Sequence, residues 1–495
     1  MIGHVSLPAR RLRAVYGDGP ETINLRLTER LAHCPAAYGA GTQLPRGNLD
    51  RGVIVRDACA SWHNGTDIDD VITEHFSVLD PVQRRVCASL FHSYTSLMQG
   101  VRGGAEDLEG DFIVVPHPTA HAAAQAHVTF TLSGEEGPEL VKLRTGWTGS
   151  GDWEKAILLT GKDPEDSVVE IMTATGEIDE ITMSDEARES ALAELFTTWD
   201  SQQASDGPQG TKPGWWCYTC PRPARCGQYP TVGGHRVSSN TRTIRMSKTW
   251  VLALRYCQRK VAWKQVYGIP EDDGTDEDDW RRDRGIAFHD LLAAALAAED
   301  PQAAFDAALQ GVPDSEVQNM RWLWDRHLEL EAAHEHPVTV RDTEYQVGAT
   351  IEVGGLKIDR GTLRTNQPVA VVFMGRADAT GREANETPAV VEFKTGPDAT
   401  EVNQLELDIY ATGVALLTGR SEVAVHLHQL GLPDGPRCVR EVYNDQRLRE
   451  AVQRLEEPAV TVANWHPEDA TQPAFTVGAW CGTCVFRQRC EEHRE

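Results

Sequence analysis

Glu392 and Lys394 stand two residues apart in the run PAVVEFKTG, residues 388–396. Val390, Val391 and Phe393 make the run apolar and Gly396 ends it, the pattern of a buried strand running into a turn. Alternate residues of a strand share a face, so the carboxylate and the ammonium project together from an apolar strand. Burying either charge is costly unless it is paired or holds a metal. Such a pair at a strand end can bind Mg²⁺ and hold a phosphate or a water. It can equally be an ion pair across one face.

Two further residues extend the set. Asp378 lies in GRADAT, a second strand-like run after VAVVFM, and His289 lies in RGIAFHDLLAAALAA, at the start of a helix-patterned stretch. His289, Asp378, Glu392 and Lys394, in that order, resemble the PD-(D/E)XK nuclease superfamily in its RecB-like branch. The resemblance implies that His289, Asp378 and Glu392 are metal ligands and that Lys394 assists the attacking water. Two carboxylates and an imidazole suit Mg²⁺ or Mn²⁺, which lowers the pKa of its water and neutralises charge on a scissile phosphate.

The elements that must position these residues can be read in outline. The turn-rich segment GREANETP, residues 381–388, predicts a hairpin between the Asp378 and Glu392 strands. The run LELDIYATGVALLTG has helical spacing and stops at Gly419. Residues 300–336 read as helical scaffold without chemistry. In the family a Gln-x-x-x-Tyr helix lines the nucleic-acid channel. Here Tyr410 fits, but Glu406 stands four before it and Gln404 two further back. Tyr410 and Gln404 are candidate nucleic-acid contacts, and Tyr410 could equally be a core tyrosine.

The cysteines form a second pattern. WCGTCVFRQRC gives Cys481, Cys484 and Cys490, and WCYTCPRPARC gives Cys217, Cys220 and Cys226 at the same spacing. Gly214 and Trp216 match Gly478 and Trp480 as well. Each triplet needs a fourth thiolate for a tetrahedral or cluster site. Cys34 and Cys257 stand at the head of each half in similar contexts, 183 (217 − 34) and 224 (481 − 257) residues before their triplets. Spacing alone fits zinc or an iron–sulfur cluster. One cysteine before the nuclease core and three after it resemble the iron–sulfur branch of the same superfamily. That branch includes CRISPR-associated exonucleases and nuclease modules of helicase–nuclease repair enzymes. The resemblance implies two [4Fe–4S] clusters. Closing so long a loop would stabilise the fold by on the order of 5 kcal/mol. Cys59, Cys87 and Cys438 remain, and read as buried small hydrophobes.

The repeated triplets imply an internal duplication. RGVIVRDACA at 51–60 parallels RGIAFHDLLA at 284–293, VKLRTG at 141–146 parallels VEFKTG at 391–396, and ILLTGK at 157–162 parallels ALLTGR at 415–420. The offset grows from 223 (257 − 34) to 233 (284 − 51), which matches the acidic loop EDDGTDEDD at 271–279, and reaches 264 (481 − 217) at the triplets. A boundary near Gly233 and Gly234 follows, giving domains 1–232 and 233–495. In the first copy Arg56 stands at the His289 position, Lys142 at Glu392 and Arg144 at Lys394, with His127 near the Asp378 position. A cation repels a metal, so this copy is expected to be catalytically dead. Arg56, Lys142 and Arg144 then either grip phosphate or form ordinary salt bridges.

The expected fold is α/β: two tandem restriction-endonuclease-like domains, each a mixed sheet flanked by helices and closed by a four-cysteine cluster. A length of 495 residues suits two or three domains. No run approaches a bilayer span and the N-terminus lacks a signal-peptide core, which predicts a cytoplasmic protein with no membrane partner. A net charge of −26 argues against a generic nucleic-acid binder but allows a local basic channel. The function expected from the resemblance is a metal-dependent DNA nuclease, an exonuclease on single strands or DNA ends. The alternative is a non-catalytic nucleic-acid-binding or scaffold subunit of a helicase, repair or phage-defence complex. The chain has no G-x-x-x-x-G-K-[ST] loop, so a helicase motor would be a separate protein. Flavin and nicotinamide motifs are also missing, which disfavours a redox enzyme.

Overall fold

In the computed structural model the described residues are 5–7, 21–23, 25, 28, 51–79, 81–98, 105–107, 111–134, 137–145, 149–161, 167–203, 213–220, 223–238, 241–269, 271, 279–354, 368–397, 403–465, 473–482, 484–487 and 490. By internal contacts the chain divides into two units. The first holds Met1–Gly210, Val266–Asp273 and His466–Glu495, and the second Thr211–Gln265 and Gly274–Trp465. This division follows packing, whereas the boundary near Gly233 follows sequence repetition.

In the first unit, helices α1 (Arg51–His63), α2 (Ile68–Phe76) and α3 (Pro81–Leu97) precede the main strands. One sheet joins β1 (Val5–Leu7), β4 (Asp111–Pro116), β5 (Ala122–Val128) and β2 (Glu21–Ile23). A second runs β3 (Ala105–Asp107), β6 (Phe130–Gly134), β7 (Gly137–Arg144), β8 (Val168–Met172) and β9 (Glu177–Ile181). From β6 to β9 the pairings are antiparallel, parallel, antiparallel. Helix α4 (Asp152–Leu158) bridges the parallel pair, as a crossover between parallel strands requires. Helix α5 (Asp185–Gln203) supplies Leu192, Leu195, Phe196 and Trp199 to a core shared with α4 and with Ala124, Ala126 and Val128 of β5.

In the second unit, β10 (Arg242–Ser247) leads through α6 (Lys248–Ala253) and α7 (Gln258–Gln265) to α8 (Asp279–Leu296), α9 (Pro301–Ala308) and α10 (Asp314–Ala333). Then come β11 (Val338–Val353), β12 (Val369–Glu383), β13 (Pro388–Lys394), α11 (Gln404–Thr418), β14 (Val423–Gln429), β15 (Arg437–Tyr443) and α12 (Asp445–Ala463). The sheet order is β10-β12-β13-β14-β15, with β11 also paired to β12. From β12 to β15 the pairings are again antiparallel, parallel, antiparallel, with α11 bridging the parallel pair. Val423 to Gln429 is buried throughout and β13 is buried up to Lys394, so both strands are covered on both faces.

Strand β12 changes partner along its length. Up to Met374 it pairs with β10, and from Ala379 onward with β13. Residues 375–378 fall in the gap, and β12 and β13 splay beyond the Ala379–Val391 pair. Helix α11 sits close against the sheet: a Cβ on Gly413 would lie 2.5 Å from Gly348 N. A Cβ on Gly375 would fall 2.5 Å from the Tyr410 ring. Both glycines are needed for that approach. Among the described residues no helix is long and apolar enough to cross a membrane.

Candidate active site

The gap left by β12 opens into a cavity of about 490 Å³. Its lining includes Lys248, His289, Asp378, Glu392 and Lys394, so the four residues that the sequence singled out lie at one place. Helix α8 buries Phe288, Leu291, Leu292 and Ala295 against the core. This i, i+3, i+4, i+7 stripe leaves His289 beside it at the cavity wall. His289 Nδ1 lies 2.8 Å from Asp378 Oδ1. The Phe393 N–H, freed from the ladder where β12 and β13 splay, donates to Asp378 Oδ2 at 2.6 Å. Burial works against the His289 charge, but the bond to Asp378 and the nearby carboxylates raise its pKa.

Glu392 is 2% exposed and lies between two ammonium groups. Its Oε1 accepts from Lys394 Nζ at 2.7 Å and from Lys248 Nζ at 2.5 Å, and its Oε2 from Tyr410 Oη at 2.8 Å. Lys248 Nζ also donates to Tyr410 Oη at 2.7 Å and pairs with Glu406 Oε1 at 2.9 Å, and Lys394 reaches Glu406 Oε1 at 3.4 Å. Two lysines therefore balance two glutamates. Burial alone would raise the Glu392 pKa, but the lysines hold it well below the carboxylate range. Burial opposes both lysine charges, and the glutamates outweigh it and raise both pKa values. Lys248 and Lys394 are thus cations at neutral pH.

Tyr410 is a core tyrosine whose hydroxyl reaches the site. Its partner one turn earlier is Glu406. Gln404 turns elsewhere: its amide donates to Asp408 Oδ1 at 3.0 Å and to Tyr443 Oη at 2.7 Å. Asp408 is fully buried and also takes two bonds from Arg454. The helix carries Glu where the family pattern has Gln, and Lys248 supplies the matching cation.

Sequence reasoning missed two residues here. Lys248 follows Ser247, whose hydroxyl caps α6 and which ends β10 where β12 changes partner. Nothing local in RMSKTW marks that lysine. Glu344 lies on β11 between the pairs Thr343–Ala379 and Tyr345–Ala377, opposite Asp378, with φ +52°, a left-handed conformation uncommon for a side-chain-bearing residue. Burial raises its pKa, and Arg376 at 2.7 Å opposes the rise. Donor atoms of His289, Glu344 and Asp378 all lie within 4.8 Å of one another, a hard oxygen-rich set suited to a divalent cation. Glu392, expected as the third ligand, is bonded to Lys394 and Lys248, while Glu344 stands beside His289 and Asp378.

The cysteine triplets share one local form. Cys217 N bonds Gly214 O at 3.0 Å and Cys220 N bonds Cys217 O at 3.2 Å. Cys481 N bonds Gly478 O at 2.9 Å and Cys484 N bonds Cys481 O at 3.3 Å. A Cβ on Gly214 or Gly478 would strike the ring of Trp216 or Trp480 at 2.4 Å, which explains the repeated Gly-x-Trp-Cys. In the second unit burial, and then the charges of Cys220 and Cys217, push the Cys226 thiol up to about 11. Between Cys217 and Cys220 in sequence, Tyr218 reaches the cavity wall. Cys257 belongs to the second unit, Cys481, Cys484 and Cys490 to the first, and Cys34 lies outside the described residues.

In the first unit the charge pattern is reversed. Lys142 Nζ pairs with Glu154 Oε1 at 3.0 Å and donates to His127 O at 2.5 Å. Arg144 bonds Glu170 Oε1 through Nε at 3.0 Å, Ser150 Oγ at 2.8 Å, and Glu154. Arg56 lies on Asp57 at 2.6 Å. Burial first, then Lys142 and Arg56, lowers His127 to about 4. Lys142 and Arg144 thus each pair with carboxylates of the same unit.

Residues 245–491 match the family model of the PD-(D/E)XK nuclease superfamily. The solved structure of SSO0001 is similar at a TM-score of 0.22 and 17% identity, over 52% of this chain and 89% of that one. The alkaline exonuclease of Laribacter hongkongensis is similar at a TM-score of 0.17 and 12% identity, over 36% of this chain and 92% of that one. Among curated proteins none matches the chain.

Proposed function

We propose that the second unit is a metal-dependent deoxyribonuclease acting by water attack on phosphorus. The observation that carries this reading is the convergence of His289, Glu344 and Asp378 donors within 4.8 Å, with His289 and Asp378 lining the cavity that also holds Glu392 and Lys394, within a segment that matches a nuclease family. His289, Asp378 and Glu344 would hold Mg²⁺ or Mn²⁺, with Glu392 a further ligand once released from a lysine. The bound ion supplies an acidified water and neutralises phosphate charge. Lys394 and Lys248, both charged, orient the water and hold a phosphate oxygen by charge-assisted bonds. Asp378 fixes the His289 ring, and Tyr410 fixes Glu392.

Exonuclease action on single strands or ends is carried over from the family resemblance, as are the [4Fe–4S] clusters. The latter rest on the equal spacing of the two cysteine triplets and on the local turn that they share. The duplication is supported by the shared antiparallel, parallel, antiparallel strand path and by the repeated Gly-Trp-Cys turn. In the first copy Lys142 and Arg144 serve as internal ion-pair partners. Labelled single- and double-stranded DNA incubated with Mn²⁺, Mg²⁺ or EDTA tests the activity. Cleavage with metal that EDTA abolishes is expected, and no cleavage under any metal condition would contradict it.

A further inference from the structure

A second cluster of ligating side chains lies on the other side of Phe393 from the active site. Strand alternation puts His426 and His428 on one face of β14, and the β14–β15 register sets Cys438 directly opposite His428. His334 closes the group from the C-terminal end of α10. Donor atoms of the four residues lie within 4.8 Å of one another. His334 Nε2 is 3.0 Å from Cys438 Sγ and 3.2 Å from His426 Nδ1, and Cys438 Sγ is 3.9 Å from His426 Nδ1. Donors on a tetrahedral zinc stand roughly 3.3–3.8 Å apart, from bonds of about 2.0–2.3 Å.

Three observations point to an ion. His428 is 1% exposed and neither ring nitrogen has a hydrogen-bond partner. Glu331 Oε1 stands 3.7 Å from its Nδ1, too far for a bond. Hydrogen bonding within the cluster accounts for His334, His426 and Cys438 but leaves this imidazole unexplained. Next, His426 Nε2 faces Glu383 Oε1 at 2.9 Å, and Arg440 clamps both Glu383 oxygens at 2.6 and 2.7 Å. A clamped carboxylate fixes the proton on Nε2 and turns the bare Nδ1 into the cluster, the support that metal-binding histidines receive. Finally, the donor set is one thiolate and three imidazoles, which favours Zn²⁺ over Mg²⁺ or Ca²⁺.

We propose that His334, His426, His428 and Cys438 form a structural Zn²⁺ site distinct from the catalytic metal site and from both cysteine triplets. Burial keeps the histidines neutral, with His428 lowered to about 2 and His426 to about 4, the form a metal takes. Burial pushes the Cys438 thiol up to about 12, and zinc displaces its proton. Binding through His334 Nε2 moves that ring's proton to Nδ1, so the exposed bond from His336 N–H at 2.9 Å gives way. The ion would tie α10 and β15 to β14 behind Phe393, whose ring packs on His428 at 5.3 Å and whose N–H holds Asp378. Cys438 is then a ligand and not an inert small hydrophobe.

The test uses the full chain. The purified protein is alkylated with and without a zinc chelator, and the extent of reaction is read peptide by peptide, which separates Cys438 from every other cysteine. Cys438 should be protected as purified, react several-fold faster after chelation, and be protected again by added Zn²⁺ but not by Mg²⁺. Zinc analysis of Cys438→Ser and His428→Gln should each show one ion per chain fewer than the parent. Equal reactivity of Cys438 with and without chelator would overturn the proposal even if both variants fail to fold, and so would undiminished zinc in folded variants.

Discussion

Replacing Lys248 by methionine isolates the residue that the sequence did not mark. The change removes the 2.5 Å bond to Glu392, the 2.9 Å pair with Glu406 and the bond to Tyr410. Lys394 stays 2.7 Å from Glu392, so the buried carboxylate keeps one cation. Loss of one partner in a buried charge cluster then costs about 2–4 kcal/mol, less than stranding the charge entirely. For a unit of this size that lowers the melting temperature by roughly 4–16 °C. The surplus negative charge comes from Glu406, so Glu406→Gln should relieve it. Calorimetry on the parent, the two single variants and the double variant forms a cycle, and the coupling expected is about 1–2 kcal/mol. An equal cost of Lys248→Met in both backgrounds would refute the two-lysine, two-glutamate balance.

Three further outcomes follow from the same geometry. Because His289 and Glu344 have raised pKa values, protons compete with the cation. Mn²⁺ affinity measured by calorimetry should climb with pH beyond the ordinary imidazole value of about 6.5. The metal-free His289–Asp378 pair works in the opposite sense: its stabilisation is full below that value and is lost as pH rises through the raised His289 pKa. A flat Mn²⁺ affinity from pH 6 to 8 would exclude proton competition. Anaerobically purified protein should be brown, with roughly eight iron atoms per chain. Zinc in place of iron at the triplets would remove the clusters and leave the fold. Arg56→Ala/Arg144→Ala should leave DNA affinity and its salt slope unchanged while costing about 3 kcal/mol of stability, since buried Glu170 loses its cation. A salt slope flatter by about one charge per residue would instead show that these arginines contact phosphate.

The sequence exposed what depends on strand and helix period. Glu392 and Lys394 at i and i+2, Asp378 on the preceding strand and His289 beside an apolar helical stripe all converge. Contacts set by long-range pairing were hidden. Lys248 precedes Glu392 by 144 residues and is placed by the partner change of β12. Glu344 meets Asp378 only through the β11–β12 register. His426 and His428 share a visible alternation, but Cys438 and His334 reach them through sheet pairing and a helix end. Gln404, two residues off the Gln-x-x-x-Tyr spacing, bonds Asp408 and Tyr443 instead. Helical geometry gives the face of Tyr410 to Glu406, four residues before it.

Single-turnover cleavage of end-labelled DNA in Mn²⁺ by the parent, Asp378→Ala and Lys394→Ala, purified identically and shown by calorimetry to be folded, tests the site most directly. The parent is expected to cut, EDTA to stop it, and each variant to lose at least about 100-fold in rate. Either folded variant cutting at the parental rate would place the chemistry elsewhere.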